Sequence, residues 1–588
     1  MTDTAALAAG TLFHPLPATG PVAFAVAELG RYLERLYGRA PMACGIPGMD
    51  ECALELAPAG SHGPNTTPRL PADAEYIVVP ADGRLACAGA SPRALLAAAY
   101  ATLEALGCRW SPAGAADEHV PGPGAAARTL PTLVGRPAFA RRAYVSDLNT
   151  WHPGVPERMA ARLPSDTAFI DWMAKTGATG FLFIRHANDD QWVIPALLPE
   201  LSRRGLDVEW GGHVLPELLP RALFERHPDW FPVGADGART DFGNACTAST
   251  PALDTICERA RAARESIPGA GDLHVWGLDL FGGGWCACVA CRTLSPSEQA
   301  LRVANAVAAG QPSGGRVYHL AYHDTIRAPR TVRPDPRVWV EFAPRERCYA
   351  HALDDARCET NRPYREALAA HLDTFAGRVD VFEYYADAIL FGGCAVPLVE
   401  VIARDLEFYR RAGVRGVSCL TFGTYSVLAH GINLDAFARG ALAPARARGA
   451  PTSLAAYFSA LEGLMADVVT YGDVKLPPAR ADVRAALRRA LDAEPATRRH
   501  LVGDDPSVAA QRVLFDYTIA TLRGLDAWLA AHLQRAGDGA DDALDALAAA
   551  IDHVRTLHPD VAGTWGTHDL EITHAFYDAA LRTTHKPR

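Results

Sequence analysis

The sequence predicts an α/β protein in three parts: an N-terminal α/β domain, a central (β/α)8 TIM-type barrel and a helical C-terminal domain. Three observations carry this prediction. Short β-rich runs alternate with helical runs over residues 1–132. Eight strand-like runs, most of them separated by helix-length segments, occupy residues 138–435, the pattern of a closed parallel barrel. Residues 440–588 are alanine-rich, with apolar stripes at three- and four-residue spacing that read as helices. A chain of 588 residues has room for several domains of about 100–200 residues each.

In the first part, residues 22–37 (VAFAVAELGRYLERLY) place apolar side chains at helical spacing. Residues 51–58, 74–80 and 84–90 read as strands. Ser91 is set to cap a helix that Pro92 opens and Gly107 ends. Residues 108–110 (CRW) return to strand, and a Pro/Gly/Ala-rich linker spans 121–137. The barrel strands are expected at 139–147, 178–186, 205–213, 272–280, 316–324, 337–345, 378–386 and 414–423. The rival is an open doubly wound sheet, but no Gly-rich phosphate loop of the kind that class often carries follows the first strand. Helices are expected at 452–469, 479–493, 507–536 and 541–558. Their apolar stripes serve internal packing or, alternatively, a homodimer interface.

Composition narrows the function classes. Hydrophobic residues at 49% and charged residues at 21% exclude a disordered or fibrous chain. Lys and Arg number 57 against 67 Asp and Glu, a net charge of −10. Phosphate binding wants a basic face, so nucleic acid is not an expected partner, and membrane adsorption is not favoured. The first twenty residues lack a basic n-region, and no run of about 18 apolar residues suits a bilayer. A cytoplasmic location is expected. Most of the 13 cysteines stand singly in apolar contexts and read as buried thiols.

Several motifs carry a family resemblance. Gly89-Ala-Ser91-Pro-Arg93, then Leu106-Gly107-Cys108-Arg109-Trp110 and Val120-Pro121, resemble the end of the N-terminal domain in alpha-glucuronidases and related bacterial glycoside-hydrolase-like proteins. Ala94 stands where that family often has Gly. His227-Pro228-Asp229-Trp230-Phe231, Cys246, Asp279 with Cys286, Cys288 and Cys291, and Ala321-Tyr322 resemble the bacterial domain-of-unknown-function family 4838. The resemblance covers roughly residues 20–430. It implies a hexosaminidase-like N-terminal domain and a carbohydrate-active barrel, and it leaves the substrate open.

Glycoside hydrolysis mostly needs two carboxyls beside the sugar, about 5–5.5 Å apart for retention or about 6.5–9.5 Å for inversion. One is protonated and the other ionised. In a barrel they come from the C-terminal ends of strands. Asp279, at the expected end of the fourth strand and before Gly282-Gly283-Gly284, is the expected acid. Glu383, in the seventh strand, is the expected base or nucleophile. The resemblance supports Asp279, since the fourth strand supplies the acid in alpha-glucuronidases and hexosaminidases. Hexosaminidases that use the substrate's own acetamido group carry adjacent Asp-Glu there. Leu280 follows Asp279 here, so such assistance is not expected. Each carboxylate has a structural alternative: Asp279 caps a loop beside the cysteines, and Glu383 is a hydrogen-bonding residue. Glu341 reads as an inward-pointing strand residue or a partner of Arg345.

The expected substrate contacts are Asp147, Trp151, Arg185, His186, His213, Tyr322, His323, Arg345 and Tyr385. Aromatic and imidazole rings offer a pyranose flat faces with polar edges. Arg345 and Arg347 suit a uronate carboxylate, or else pair with Glu341 or Glu346. Asp147 meets a sugar hydroxyl or caps the following helix, and His213 is alternatively a satisfied histidine under a loop.

Cys286, Cys288 and Cys291 put three thiols within six residues. A structural zinc is the first expectation, with a fourth ligand from Cys246, Cys348 or a neighbouring His. Free thiols or a disulfide are the alternatives. No cofactor is required for the chemistry. The expected function is cleavage of a small glycoside or oligosaccharide, that carbohydrate being the small-molecule partner. The same barrel also suits a non-catalytic carbohydrate-binding protein, or a sugar lyase or epimerase using His213, His323 or Tyr385 as acid and base. A metal-dependent hydrolase built on the cysteines is a further alternative. The sequence has no Gly-x-Ser-x-Gly elbow, His-Glu-x-x-His, phosphate loop or dinucleotide fingerprint.

Overall fold

The computed structural model describes residues 11–13, 19–44, 52–58, 68–81, 84–112, 118–122, 125–127, 129–147, 155–185, 193–267, 269–280, 282–311, 315–421, 423–447, 454–471, 474, 478, 480–503, 505–534, 545 and 549.

The N-terminal unit contains β1 (Thr11–Phe13), α1 (Gly20–Tyr37), β2 (Met42–Cys44), β3 (Cys52–Pro58), β4 (Tyr76–Ala81), β5 (Arg84–Gly89), α2 (Pro92–Ala105) and β6 (Leu133–Gly135). Its sheet runs in the order β2-β1-β3-β5-β4-β6. Strand β4 is antiparallel to both β5 and β6. The Ser91 hydroxyl accepts the Ala94 N–H at 3.2 Å, satisfying one of the donors a helix start leaves open. Helix α1 buries Leu29, Tyr32, Leu33 and Leu36. Two expectations need correction here. The linker at 121–137 contributes β6, which extends the sheet beyond β4. Residues 108–110 make only an isolated bridge, Arg109 to His119. The Trp110 ring meets Tyr32 and Tyr100 edge-on, and its indole N–H donates to the Tyr32 hydroxyl at 2.9 Å. Those contacts hold the segment where no ladder continues.

Strands β7 (Arg141–Asp147), β8 (Gly180–Arg185), β9 (Asp207–Gly212), β10 (Ala270–Val275), β11 (Val317–Ala321), β12 (Val338–Phe342), β13 (Val379–Ala386) and β14 (Gly416–Thr421) close into an eight-stranded barrel. Every pairing in it is parallel. Helices α3 (Val155–Lys175), α4 (Val193–Arg203), α5 (Thr250–Glu265), α6 (Pro296–Gly310), α7 (Arg362–Thr374), α8 (Val399–Ala412) and α9 (Gly423–Leu442) surround it. Between β11 and β12 the described residues contain only a 3-10 turn, His323–Thr325. All eight expected strands are found. The fourth stops at Val275, so Asp279 stands in the loop beyond it.

The barrel interior is polar at its N-terminal end. The Arg141 guanidinium donates to Glu209 at 2.7 and 2.6 Å and to Glu341 at 3.1 Å. The His274 ring bridges Glu209 and Glu341, 2.9 Å from each. Ser418 donates to Glu341 at 2.9 Å and Tyr318 to Asp380 at 2.7 Å. Burial alone would lower the His274 pKa, but Glu341 and Glu209 outweigh it and hold the pKa at about 8. Glu341 therefore does point inward, with Arg141 rather than Arg345 as its partner. Gly211 is required beside this cluster: its φ is +128°, and a Cβ there would lie 2.0 Å from the His274 carbonyl oxygen. Above the charged layer Trp276 stacks on Phe382, with ring centroids 6.1 Å apart.

Helices α10 (Ala455–Met465), α11 (Ala481–Asp492) and α12 (Pro506–Gln534) follow. They match three of the four expected C-terminal helices. Residues 541–558 lie almost wholly outside the described residues. Helix α12 packs on the loop after β13: the Thr518 hydroxyl accepts the Ala395 N–H at 2.9 Å, and Tyr517 donates to the Gly392 carbonyl at 3.0 Å. Among the described residues, no helix is long and apolar enough to cross a membrane.

Candidate active site

Residues just past the strand ends meet at the C-terminal mouth of the barrel. His213 follows β9, and Trp276 and Asp279 follow β10. Tyr322 and His323 follow β11, Arg345 and Glu346 follow β12, and Asp387 follows β13, which itself contributes Tyr384. The His323 ring lies between two carboxylates: Nε2 is 3.8 Å from Asp279 and Nδ1 is 3.2 Å from Glu346. The imidazole thus lies between them, and their nearer oxygens are no more than about 9 Å apart. His323 has a left-handed φ of +46°, an uncommon backbone state that costs energy and clusters at functional sites.

Aromatic rings wall this group. The Tyr322 ring is 3.6 Å from the His323 ring, 6.4 Å from Tyr384 and 6.4 Å from His213. Burial pushes both tyrosine pKa values well above the ordinary range, so their hydroxyls stay protonated. The Arg345 Nε–H donates to Asp387 at 2.9 Å, and its guanidinium lies 3.8 Å from Glu346. Asp387 is itself fixed by the Leu390 N–H at 2.9 Å. The His213 Nδ1 lies 2.6 Å from the Gly277 carbonyl oxygen.

The loop carrying Asp279 is tied to the turn carrying His323. Gly282 and Gly283 donate their N–H groups to Asp324 at 3.1 and 3.0 Å, and the Trp285 indole donates to it at 3.2 Å. Gly282 sits at φ +76°, which a side chain would resist. The Asn244 side-chain oxygen accepts the Leu278 N–H at 2.9 Å, next to Asp279.

Glu383 is not part of this mouth. Successive residues on a strand face opposite ways. On β13, Asp380, Phe382 and Tyr384 face the barrel interior, while Glu383 and Tyr385 face helix α8. Glu383 accepts from the Tyr409 hydroxyl and from Arg347 at 3.3 Å. Arg347 also binds Asp405 at 2.5 Å, and Tyr385 donates to Asp405 at 2.9 Å. All of these groups are buried, and Glu383 is 0% exposed. Burial raises its pKa to about 7 against the pull of Arg347. The structure therefore does not bring the expected pair, Asp279 and Glu383, together. Tyr385 is likewise behind the strand, with Tyr384 in its place at the mouth. Arg347 is sealed by its two carboxylates, whereas Arg345 stands at the mouth, paired with Asp387.

Of the other expected contacts, His213, Tyr322, His323 and Arg345 do converge at the mouth. Trp151 and His186 lie outside the described residues. Asp147 and Arg185 end β7 and β8, but their side chains are also outside the described set. Glu346 and Asp387 were not expected at the site. Their signal was position alone, a carboxylate shortly after a strand. At the cysteines, Cys246 joins Cys286, Cys288 and Cys291, with all four sulfurs within 4.8 Å of one another. Cys348 belongs instead with His351 and Cys358.

The fold is thus a parallel eight-stranded barrel of TIM type, with polar residues gathered at its C-terminal mouth. The model of a domain of unknown function (DUF4838) matches residues 158–423, in agreement with the resemblance seen in the motifs. One similar solved structure is a GH115 4-O-methyl-alpha-glucuronidase with specificity for decorated arabinogalactans. Its TM-score is 0.58 at 10% identity, over 96% of this chain and 79% of that one. Another is a GH138 enzyme targeting pectin rhamnogalacturonan II, with a TM-score of 0.52 at 10% identity, over 97% of this chain and 79% of that one. At that identity the likeness is one of fold. A search of curated proteins finds no match.

Proposed function

We propose that this chain is a glycoside hydrolase that binds a small glycoside or oligosaccharide at the barrel mouth and cleaves it between Asp279 and Glu346. One observation carries the proposal: two solvent-reachable carboxylates from different strand ends sit on opposite nitrogens of a single imidazole. Asp279 is 49% exposed and Glu346 33%, with His323 between them at 11%. The site lies where barrel enzymes place their chemistry, and glycoside hydrolases share the fold. Asp279 and Glu346 act as the acid and base pair, with His323 placed between them and Arg345 beside Glu346. Tyr322 and Tyr384 pack against the sugar ring, and Arg345 binds a hydroxyl or carboxylate on it. No cofactor takes part.

A screen of aryl glycosides, including glucuronides and N-acetylhexosaminides, tests this. In any activity found, Asp279→Asn and Glu346→Gln should each lower kcat by about 10²–10⁴-fold, the usual contribution of a general acid or base. Activity that survives both changes ends the proposal. A second assignment, sugar lyase or epimerase with His323 as base, is favoured by the strained backbone that aims that ring between two carboxylates. Product mass separates the two, because hydrolysis adds one water and elimination or epimerisation adds none.

A further inference from the structure

We infer that Cys246, Cys286, Cys288 and Cys291 bind one zinc ion in a closed four-thiolate site that staples the loop after β9 to the loop after β10. The distances fit. A tetrahedron with Zn–S bonds of about 2.3 Å has S···S edges of about 3.8 Å. Cys246 lies 3.8 Å from Cys288 and 4.0 Å from Cys291. These separations are far too long for a disulfide, whose sulfurs are about 2.0 Å apart. They are too short for an iron–sulfur cluster, which interposes several iron and sulfide atoms between its cysteines. A single tetrahedral ion fits, and an all-thiolate donor set suits zinc.

Donors to the sulfurs are in place as well. The Val233 N–H points at Cys286 and the Cys291 N–H at Cys288, both at 3.4 Å, and the Thr247 hydroxyl is 3.5 Å from Cys291. Such contacts orient thiolate ligands and temper their charge. The Arg239 side chain, anchored on the Phe231 carbonyl, lies beside Cys246. It offsets part of the charge that four thiolates leave on a divalent ion.

The surroundings show what an ion would hold together. The stretch from His213 to Ser249 has one helical turn, two 3-10 turns and one isolated bridge. Compact domains seldom carry so long a loop with so little regular structure. Among the described residues, Val233 is the one hydrophobic side chain besides the cysteines that packs against this sulfur cluster, which is separate from the main core. The rest of the stretch is anchored in the main core through Leu215, Leu218, Leu219, Phe231 and Ala245, so the folding energy that metal binding contributes directly would act on the segment around Cys246 and its tie to the cysteines after β10. The staple bears on the mouth: Asn244, two residues before Cys246, holds Leu278 beside Asp279.

The test is the metal content of the full chain purified without added metal, by plasma mass spectrometry. About one zinc per chain is expected from this site. The double variant Cys286→Ser with Cys291→Ser should lose one equivalent relative to wild type, while Cys348→Ser keeps it. A variant that fails to fold does not block the test. In the wild-type protein, a mercurial should release that zinc as four thiols react, and cobalt replacement should give the intense thiolate-to-cobalt absorption of a tetrahedral four-sulfur site. Absence of zinc, iron in its place, or equal zinc in the double variant would each overturn the inference. None of these readouts depends on glycoside cleavage, so this proposal and the hydrolase proposal stand or fall separately.

Discussion

Arg347→Met probes whether Glu383 is structural, as its burial behind β13 implies. One guanidinium lies 3.3 Å from Glu383 and 2.5 Å from Asp405, and the three side chains are all 0% exposed. Methionine keeps much of the apolar volume against the Tyr349 ring, which the guanidinium overlies at 4.5 Å, and removes only the charge. Breaking a buried ion pair by deleting one partner costs about 3–5 kcal/mol. The loss depends on pH. Burial raises both carboxyl pKa values, Glu383 to about 7. A carboxyl raised in this way opposes folding once it ionises. The opposition begins above the unfolded value, about 4.5, and is complete above the folded one. Without Arg347 the folded values rise further. The full 3–5 kcal/mol is therefore expected at pH 8, falling at pH 5 to the ~1–3 kcal/mol of lost hydrogen bonds. Urea unfolding followed by tryptophan fluorescence at both pH values measures this. A loss under about 1 kcal/mol at pH 8, or an equal loss at both, would refute the structural role argued for Glu383.

The barrel interior makes its own pH prediction. His274 is raised from 6.5 to about 8, so at 1.36 kcal/mol per unit it contributes about 2 kcal/mol. That stability is fully present below pH 6.5 and is lost as pH rises through about 8. The wild-type urea midpoint should fall across this window, and that of His274→Gln should not. Gly211→Ala should destabilise the barrel severely, because a Cβ 2.0 Å from a carbonyl oxygen cannot be accommodated; a near-wild-type unfolding midpoint would contradict the close packing of β9 on β10. Arg345→Leu should weaken calorimetric binding of an acidic glycoside at least tenfold more than binding of its neutral counterpart. Equal weakening of both would remove Arg345 as a carboxylate anchor.

The strands of the barrel were legible because each is a short apolar run between turn-forming residues. Which way a side chain faces was not. A parallel barrel strand is buried on both faces, so β13 carries acids and aromatics on each: Asp380 and Tyr384 inside, Glu383 and Tyr385 outside. Only contacts across the barrel, such as Tyr318 to Asp380 at 2.7 Å, reveal the inner face, and no local pattern encodes them. Glu383 and Tyr385 share one parity on the strand, which is why both face α8 and neither reaches the mouth. The fourth strand is shorter than its sequence pattern implies for a related reason. Trp276-Gly-Leu-Asp-Leu still alternates, but the Leu278 N–H is taken by Asn244 and the ladder has already ended.

The site was more legible by position than by residue type. Asp279 and Glu346 stand four residues past their strands, His323 two and Asp387 one. In a closed parallel barrel all eight strands deliver their C-terminal ends to one rim, so polar residues a few positions beyond each end are neighbours whatever their separation in the chain. A strand residue has even odds of facing the rim's axis or the helices. A residue just past the strand is released from that alternation and turns toward the opening, where solvent and ligand satisfy its polar group. What no positional rule supplies is the left-handed backbone at His323, which the Tyr322 and Thr325 turn imposes through the Thr325 hydroxyl hydrogen bonds at Leu320 and Tyr322. That turn sets the imidazole between Asp279 and Glu346. The carboxylate that the turn places across His323 from Asp279 is therefore not legible from local pattern, even though Glu346 sits openly beside Arg345 in the sequence.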